Sequence, residues 1–166
     1  MTSAPLRSTL SRQLVAAAVI LAALTFVARA AEDCRPAPER PRENLQIVTA
    51  SGAHPIKVEV ARTPDQRAKG LMCRRTMARD QGMLFTFDGE TPIYMWMKNT
   101  YLPLDMIFVS RTGVVTAITE HTKPFSRDLI SSGGPAYAVI ELNAGVAGEL
   151  GIVEGSKIEY PAFRNQ

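Results

Sequence analysis

The chain has 166 residues, of which 46% are hydrophobic and 21% are charged, and its formal net charge is +3. This composition is typical of a globular protein and excludes a disordered chain. Two cysteines are too few for a framework of disulfides to hold the fold together. The length suffices for one ordinary hydrophobic core.

The first 30 residues have the pattern of a secretory signal peptide. Arg7 and Arg12 precede an apolar stretch from Leu14 to Val27, and Ala28 and Ala30 supply the small residues of a cleavage site. The apolar stretch is shorter than the roughly 20 residues that a membrane span needs. We therefore expect cleavage before Ala31, a periplasmic or secreted protein, and no stable membrane span. A retained N-terminal anchor is the alternative.

Removal of residues 1–30 changes the charge and the redox environment. It takes away three arginines and no acid, which leaves 16 basic and 16 acidic residues. A neutral chain has no global field that favours nucleic acid, so we expect no such partner. We also expect a monomer without a cofactor. In an oxidising compartment Cys34 and Cys73 could pair, although their spacing does not test this.

The segment 31–44 is rich in proline and charge, which predicts a flexible linker before a single domain at 45–163. Hydrophobic residues then alternate at Ile56, Val58 and Val60, which predicts a half-buried strand. The next segment changes period. Thr63 is a candidate N-cap, followed by Pro64 at the first helical position and by Gln66 at the place of a capping box, and together they predict a short helix.

The rest of the chain is predicted to be mostly strands. Apolar and β-branched runs predict strands at 82–87, 93–98, 104–110, 114–120, 136–142 and 157–160. Thr112-Gly113 predicts a hairpin turn, and the segment 124–135 is predicted to be a loop. Asn143 and Gly151 bracket a second short helix. The prediction is a mostly β (β-rich α+β) domain: a compact antiparallel sandwich or barrel of about seven short strands with two short helices.

The most unusual stretch is MWMKNTYLPLD, residues 95–105. Read as a strand, it places Met95 and Met97 on one face and Trp96 on the other, before a turn at 99–100. Asp105 is surrounded by apolar sequence, and an unpaired buried charge is unfavourable. Lys98 or the backbone N–H groups of the turn are its predicted partners, which would join the two flanking strands.

Four motifs in order resemble the domain of unknown function 192 family. They are GLMCRRTM, DQGMLFTFDG, MWMKNTYLPLDMIFV and AVIELNAG, and the resemblance covers roughly residues 45–160. It implies a compact, mostly β domain, often behind a signal peptide, and it implies no established activity. Two positions depart from the family pattern: Met95 stands where an aromatic residue is usual, and Cys73 stands at a variable position.

The favoured functional hypothesis is non-catalytic binding of a small ligand, a glycan or a protein partner. An aromatic platform, cations and amide donors lie close together in the sequence and suit a sugar or a carboxylate-bearing ligand. The candidate binding residues are Trp96, Lys98, Asn99, Thr100, Asp105, His121 and Lys123. The competing interpretation is that Trp96 belongs to the core and that the polar residues only stabilise the turn.

Two further hypotheses stay open. Thioether and imidazole ligands select Cu(I), which makes Met95, Met97 and His121 an alternative metal set, although methionine on a strand is usually core filler. An enzyme of hydrolase type is the other alternative, with His121 as a base and Cys73 as a nucleophile. No nucleophile elbow, zinc-protease helix or phosphate-binding loop supports catalysis.

Overall fold

The computed structural model describes residues 34–163, and the predicted signal peptide at 1–30 lies outside them. Within the described residues there are seven strands and two helices. In chain order they are β1 Arg42–Thr49, β2 Gly52–Ala61, α1 Pro64–Lys69, β3 Gln81–Met95, β4 Leu104–Val109, β5 Val115–Thr119, β6 Ile130–Asn143, α2 Val146–Leu150 and β7 Lys157–Glu159. None of the helices in this range is long and apolar enough to cross a membrane.

The seven strands form one nearly closed, barrel-like sheet in the order β5-β4-β6-β3-β2-β1-β7. Its two edges meet where Val114 bridges Lys157 and where the Ile158 N–H donates to the Gly113 carbonyl at 2.7 Å. The mostly β fold is therefore confirmed, and the barrel is the correct one of the two predicted architectures. One pair of strands, β2 with β3, is parallel rather than antiparallel.

The predicted elements differ from the observed ones in an informative way. β1 was missed, and it begins at Arg42, inside the predicted linker. The predicted strands at 82–87 and 93–98 are one long strand, β3, whose pairing with β6 shifts register between Thr86 and Thr91. The expected number of strands was therefore right because these two errors cancel. The predicted loop at 124–135 is also wrong in part, because β6 already starts at Ile130.

The two helices begin differently from each other. Thr63 and Gln66 form the predicted capping box, with the Gln66 N–H donating to Thr63 Oγ1 at 3.2 Å. Asn143 does not cap α2, because it is the last residue of β6, and the N-cap is Gly145, which makes no side-chain hydrogen bond. Gly151 ends α2 in the left-handed conformation, as predicted.

The hydrophobic core has two parts that lie on opposite faces of the sheet. One part takes residues from all seven strands, among them Leu45, Val58 and Ile140, and fills the barrel interior. The other lies on the outer face of β3, β4 and β6, where Met83, Met106 and Val139 are fully buried. The segments 70–79 and 96–103 cover this outer face, so the central strands are buried on both sides.

Candidate functional site

A cavity of about 250 Å³ lies between the outer face of the sheet and the segments that cover it. α1 and the residues that follow it form one wall, and the end of β3 and the segment after it form the opposite wall. The lining is mostly apolar and aromatic, with a few polar groups: Arg67, Ala68, Lys69, Gly70, Leu71, Met72, Phe85, Phe87, Tyr94, Met95, Trp96, Thr100 and Glu141. We refer to it as the Glu141 cavity.

Glu141 is the only carboxylic acid among the described residues that line this cavity. It is 4% exposed, and its pairing partners on the neighbouring strands are Met83 and Met106. No hydrogen bond or ion pair within residues 34–163 reaches its carboxyl group. Burial in these apolar surroundings raises the pKa of Glu141 to about 8. A buried acid with a perturbed pKa in a cavity indicates a functional site.

Two aromatic side chains stand at the mouth of the cavity. Tyr94 is 60% exposed and Trp96 is 44% exposed, although both belong to a segment rich in apolar residues. The strand ends at Met95, and the Met97 N–H donates to the Ser126 carbonyl instead of continuing the sheet. Met97 is thereby turned into the core, and Trp96 is turned outward. The interpretation of Trp96 as a core residue is therefore wrong.

The wall made by α1 carries positive charge. Arg67 donates to the carbonyls of Arg62 at 2.7 Å and Thr86 at 2.9 Å, and its guanidinium lies 5.0 Å from the centre of the Phe87 ring. Gly70 follows with a φ of 46°, and a Cβ at this position would stand 3.1 Å from the Phe85 ring. Glycine is therefore required both by the backbone conformation and by the close approach of this backbone to the Phe85 ring.

The turn between Met97 and Thr100 satisfies its own hydrogen bonds. The Thr100 N–H donates to the Met97 carbonyl at 3.1 Å, and Thr100 Oγ1 donates to the Lys98 carbonyl at 3.2 Å. Asn99 adopts a left-handed conformation, and its carbonyl accepts from the Cys73 N–H at 2.8 Å. Of this turn only Thr100 lines the Glu141 cavity, while Lys98 places its Nζ 5.2 Å from the centre of the Trp96 ring.

Asp105 is buried, as predicted, but its predicted partners were wrong. Its Oδ1 accepts from the His121 N–H and its Oδ2 accepts from the Ala147 N–H, both at 2.9 Å. The carboxylate therefore joins β4 to the segment after β5 and to the beginning of α2, and neither Lys98 nor the turn at 99–100 takes part. Asp105 is fully inaccessible, and each of its carboxylate oxygens accepts a hydrogen bond from the protein backbone.

The remaining candidate residues do not line the cavity. His121 and Lys123 are exposed, and His121 contributes its backbone N–H to Asp105. In the alternative metal set, Met95 lines the cavity, Met97 is fully buried against the Thr122 hydroxyl at 3.2 Å, and His121 lies outside it. Cys73 is disulfide-bonded, so it offers no free thiol as a nucleophile.

Comparison with known proteins places this cavity in a family context. The family model DUF192, described as "Uncharacterized ACR", matches residues 46–160. The chain belongs to the DUF192 family. The resemblance that the motifs indicated is thus confirmed, and the matched residues include both Trp96 and Glu141. No match was found among curated proteins.

Two solved structures are similar to this DUF192 domain over nearly their whole length. A protein from Sinorhizobium meliloti 1021, described as a candidate transcription regulator, is 45% identical, with a TM-score of 0.73, over 76% of this chain and 98% of its own. A protein of unknown function from Novosphingobium aromaticivorans DSM 12444 is 35% identical, with a TM-score of 0.71, over 79% of this chain and 96% of its own.

Sequence reasoning missed Glu141, although a signal for it was present. The strand AYAVIELN contains one charged residue in an otherwise apolar run. The same pattern identified Asp105 as a buried acid, and it applies equally to Glu141. The sequence alone does not distinguish the two, because only the fold shows that backbone donors reach Asp105 and that a cavity opens onto Glu141.

Proposed function

We propose that this DUF192 domain binds a small molecule in the Glu141 cavity and does so without catalysis. The observation that carries the proposal is a buried carboxyl group that has no partner within residues 34–163 and that lines a cavity. Leaving such a group unpaired lowers the stability of the fold, so a structural role does not account for it. A ligand donor would supply the missing interaction.

The size and the lining of the cavity support a small ligand. A volume of about 250 Å³ lies near the lower end of the usual range for ligand pockets, and the mostly apolar lining with a few polar groups is typical of them. A glycan is less well suited, because most of the polar groups expected to bind it are directed elsewhere. The Asp105 carboxylate and the Thr100 hydroxyl both make their hydrogen bonds within the protein.

Binding is favoured over catalysis by the composition of the lining. Among the described lining residues there is one carboxyl group and neither a histidine nor a cysteine. Lysine, tyrosine and threonine can also act in catalysis, but no hydrogen bond or ion pair within residues 34–163 joins Glu141 to Lys69, Tyr94 or Thr100, as an acid–base pair or an activated nucleophile requires. Burial accounts for the raised pKa of Glu141 without a catalytic role.

The proposal includes a location. Residues 1–30 act as a secretory signal, and the domain binds its ligand in the periplasm or outside the cell. This part rests on the sequence pattern, since those residues lie outside the described range. Fractionation of cells that express the full chain would test it, and a protein found only in the cytoplasm would contradict it.

The binding proposal can be tested directly because Trp96 is the only tryptophan in the chain. A library of small fragments should yield compounds that change Trp96 fluorescence and that shift the NMR signals of Gly70 and Thr100. Trp96→Ala should then weaken the binding of these compounds in ligand-observed NMR. Phe125→Ala is the matched control, because Phe125 is an exposed aromatic residue outside the cavity.

Two results would contradict the proposal. The first is a library that gives no compound with shifts at Gly70 and Thr100. The second is a set of hits whose affinities fall equally in Trp96→Ala and Phe125→Ala, because that pattern describes nonspecific adsorption to exposed rings.

A further inference from the structure

We infer that the ligand of the Glu141 cavity is a hydrophobic primary amine, whose ammonium group pairs with the Glu141 carboxylate. The inference rests on the proposed function and adds the chemical class of the ligand. Three independent features lead to it: the contrast between Glu141 and Glu59, the aromatic rings of the cavity, and the position of its positive charges.

The first feature is that, among the described residues, Arg74 pairs with one buried acid on this face and no cation pairs with the other. Glu59 and Glu141 are both paired in register with Met83, so all three side chains share the outer face of the sheet. Glu59 is held by Arg74 through two hydrogen bonds of 2.5 and 2.7 Å. At Glu141 an outside cation would restore the same charge balance by a charge-assisted hydrogen bond.

The second feature is the aromatic lining. Phe85, Tyr94 and Trp96 present rings to the cavity, and the face of an aromatic ring attracts a cation. Two cations of the protein already use rings at this site. Arg67 lies 5.0 Å from the Phe87 ring centre, and Lys98 lies 5.2 Å from that of Trp96. No cation of the described residues lies over the rings of Phe85 or Tyr94, so these two rings remain for a ligand ammonium group beside Glu141.

The third feature is the position of the apolar and the positively charged residues, which determines what the ligand carries besides its ammonium group. Leu71, Met72 and Met95 line the cavity around the acid, so the body of the ligand should be apolar. Glu141 supplies one negative charge and can compensate one ammonium group, whereas a second positive charge would have no further acid among the described residues of the lining and would be repelled by Arg67 and Lys69. The inference is thus specific for monoamines over diamines. A primary amine is preferred to a quaternary one, because only N–H groups donate to a carboxylate.

The experiment compares ligands that share a carbon skeleton and differ in one group. Calorimetry and Trp96 fluorescence measure binding to the purified full chain. The first set of ligands is 2-phenylethylamine, 2-phenylethanol and 3-phenylpropionate. The second set is benzylamine, hexylamine and 1,6-hexanediamine. One of the monoamines should bind at least tenfold more tightly than the alcohol, the carboxylate and the diamine. Glu141→Gln should lower the affinity for the amine at least tenfold and should change the affinity for the alcohol less than twofold.

Glu154→Gln serves as the control variant, since Glu154 is exposed and lies outside the cavity. It should bind the amine like the unmodified protein, and circular dichroism should show all variants folded. The inference is overturned if the alcohol binds as well as the amine, if Glu141→Gln leaves the amine unaffected, or if no amine binds. None of these results removes the proposed function, which falls only if the fragment library fails as described above.

Discussion

Glu59 and Glu141 lie on the same face of the sheet, on either side of Met83, and of the two only Glu59 is paired with cations from residues 34–163. Burial taken alone would raise the pKa of both carboxyl groups. At Glu59 the hydrogen bonds from Arg74 and from the Arg40 N–H outweigh burial, so its pKa is lowered. At Glu141 burial acts alone, and the pKa rises to about 8. The two acids should therefore affect stability in opposite directions as the pH changes.

Replacement of Glu141 by glutamine should stabilise the protein, and the gain should grow with pH. Between the ordinary pKa of 4.5 and the folded value of about 8, the folded state keeps a proton that the unfolded chain has lost. Stability contributed by this residue therefore falls as pH rises through that window, on the order of 1 kcal/mol per pH unit. Urea unfolding of both proteins at pH 5, 6, 7 and 8 measures the difference, and a constant difference would show that Glu141 titrates normally.

Replacement of Arg74 by methionine should destabilise the fold by about 3–5 kcal/mol, because it leaves the Glu59 carboxylate buried without its main partner. The double variant Arg74→Met, Glu59→Gln should recover part of this loss, since no buried charge remains. The control is Arg79→Met, which breaks an exposed ion pair with Glu149 and should leave stability nearly unchanged. Equal unfolding midpoints for Arg74→Met and Arg79→Met would contradict the prediction.

Asp105→Ala should lower the free energy of unfolding by about 2–5 kcal/mol, because two N–H groups, those of His121 and Ala147, lose their acceptor. The free energy of unfolding of Asp105→Asn should lie between those of the unmodified protein and Asp105→Ala, because its amide retains one acceptor oxygen. Asp88→Ala is an exposed control and should be near neutral. A melting temperature unaffected by Asp105→Ala would mean that the carboxylate does not hold these segments together.

Replacement by alanine should lower the stability of the protein much more at Met97 than at its neighbour Trp96. Met97 is fully buried, so Met97→Ala should cost about 2–5 kcal/mol of stability. Trp96 is 44% exposed, and Trp96→Ala should change stability by less than about 1 kcal/mol. Chemical denaturation followed by circular dichroism compares the two without relying on tryptophan fluorescence. A loss of stability in Trp96→Ala as large as that in Met97→Ala would show that Trp96 has a structural role.

Local signals in the sequence were sufficient for several elements. The capping box at Thr63 was predicted correctly because all of its hydrogen bonds lie within four residues of each other. The hairpin turn at Gly113 was also correct, since it depends on the φ of 79° that glycine adopts easily. Alternation at Ile56, Val58 and Val60 located β2, and apolar and β-branched runs located the centres of most other strands.

Other features were missed because they depend on contacts between residues distant in the sequence. Glu59 was expected on an open face, but the segment that follows α1 brings Arg74 over it and buries it. The strand β3 was predicted as two strands, at 82–87 and 93–98, because the residues between these two apolar runs are more polar. In the structure its pairing with β6 continues on both sides of a register shift, so the polar residues lie at an irregularity within one strand.

By itself, the sequence determined the β-rich class, the family and the presence of a buried acid at Asp105. These follow from periodicity and from short motifs, in which the interacting residues are close in the chain. Only the tertiary structure decided that the barrel closes, that Asp105 holds backbone N–H groups at His121 and Ala147, and that Trp96 and Glu141 line one cavity. The physical reason is that each of these depends on segments distant in sequence, whose meeting is set by how the strands pair.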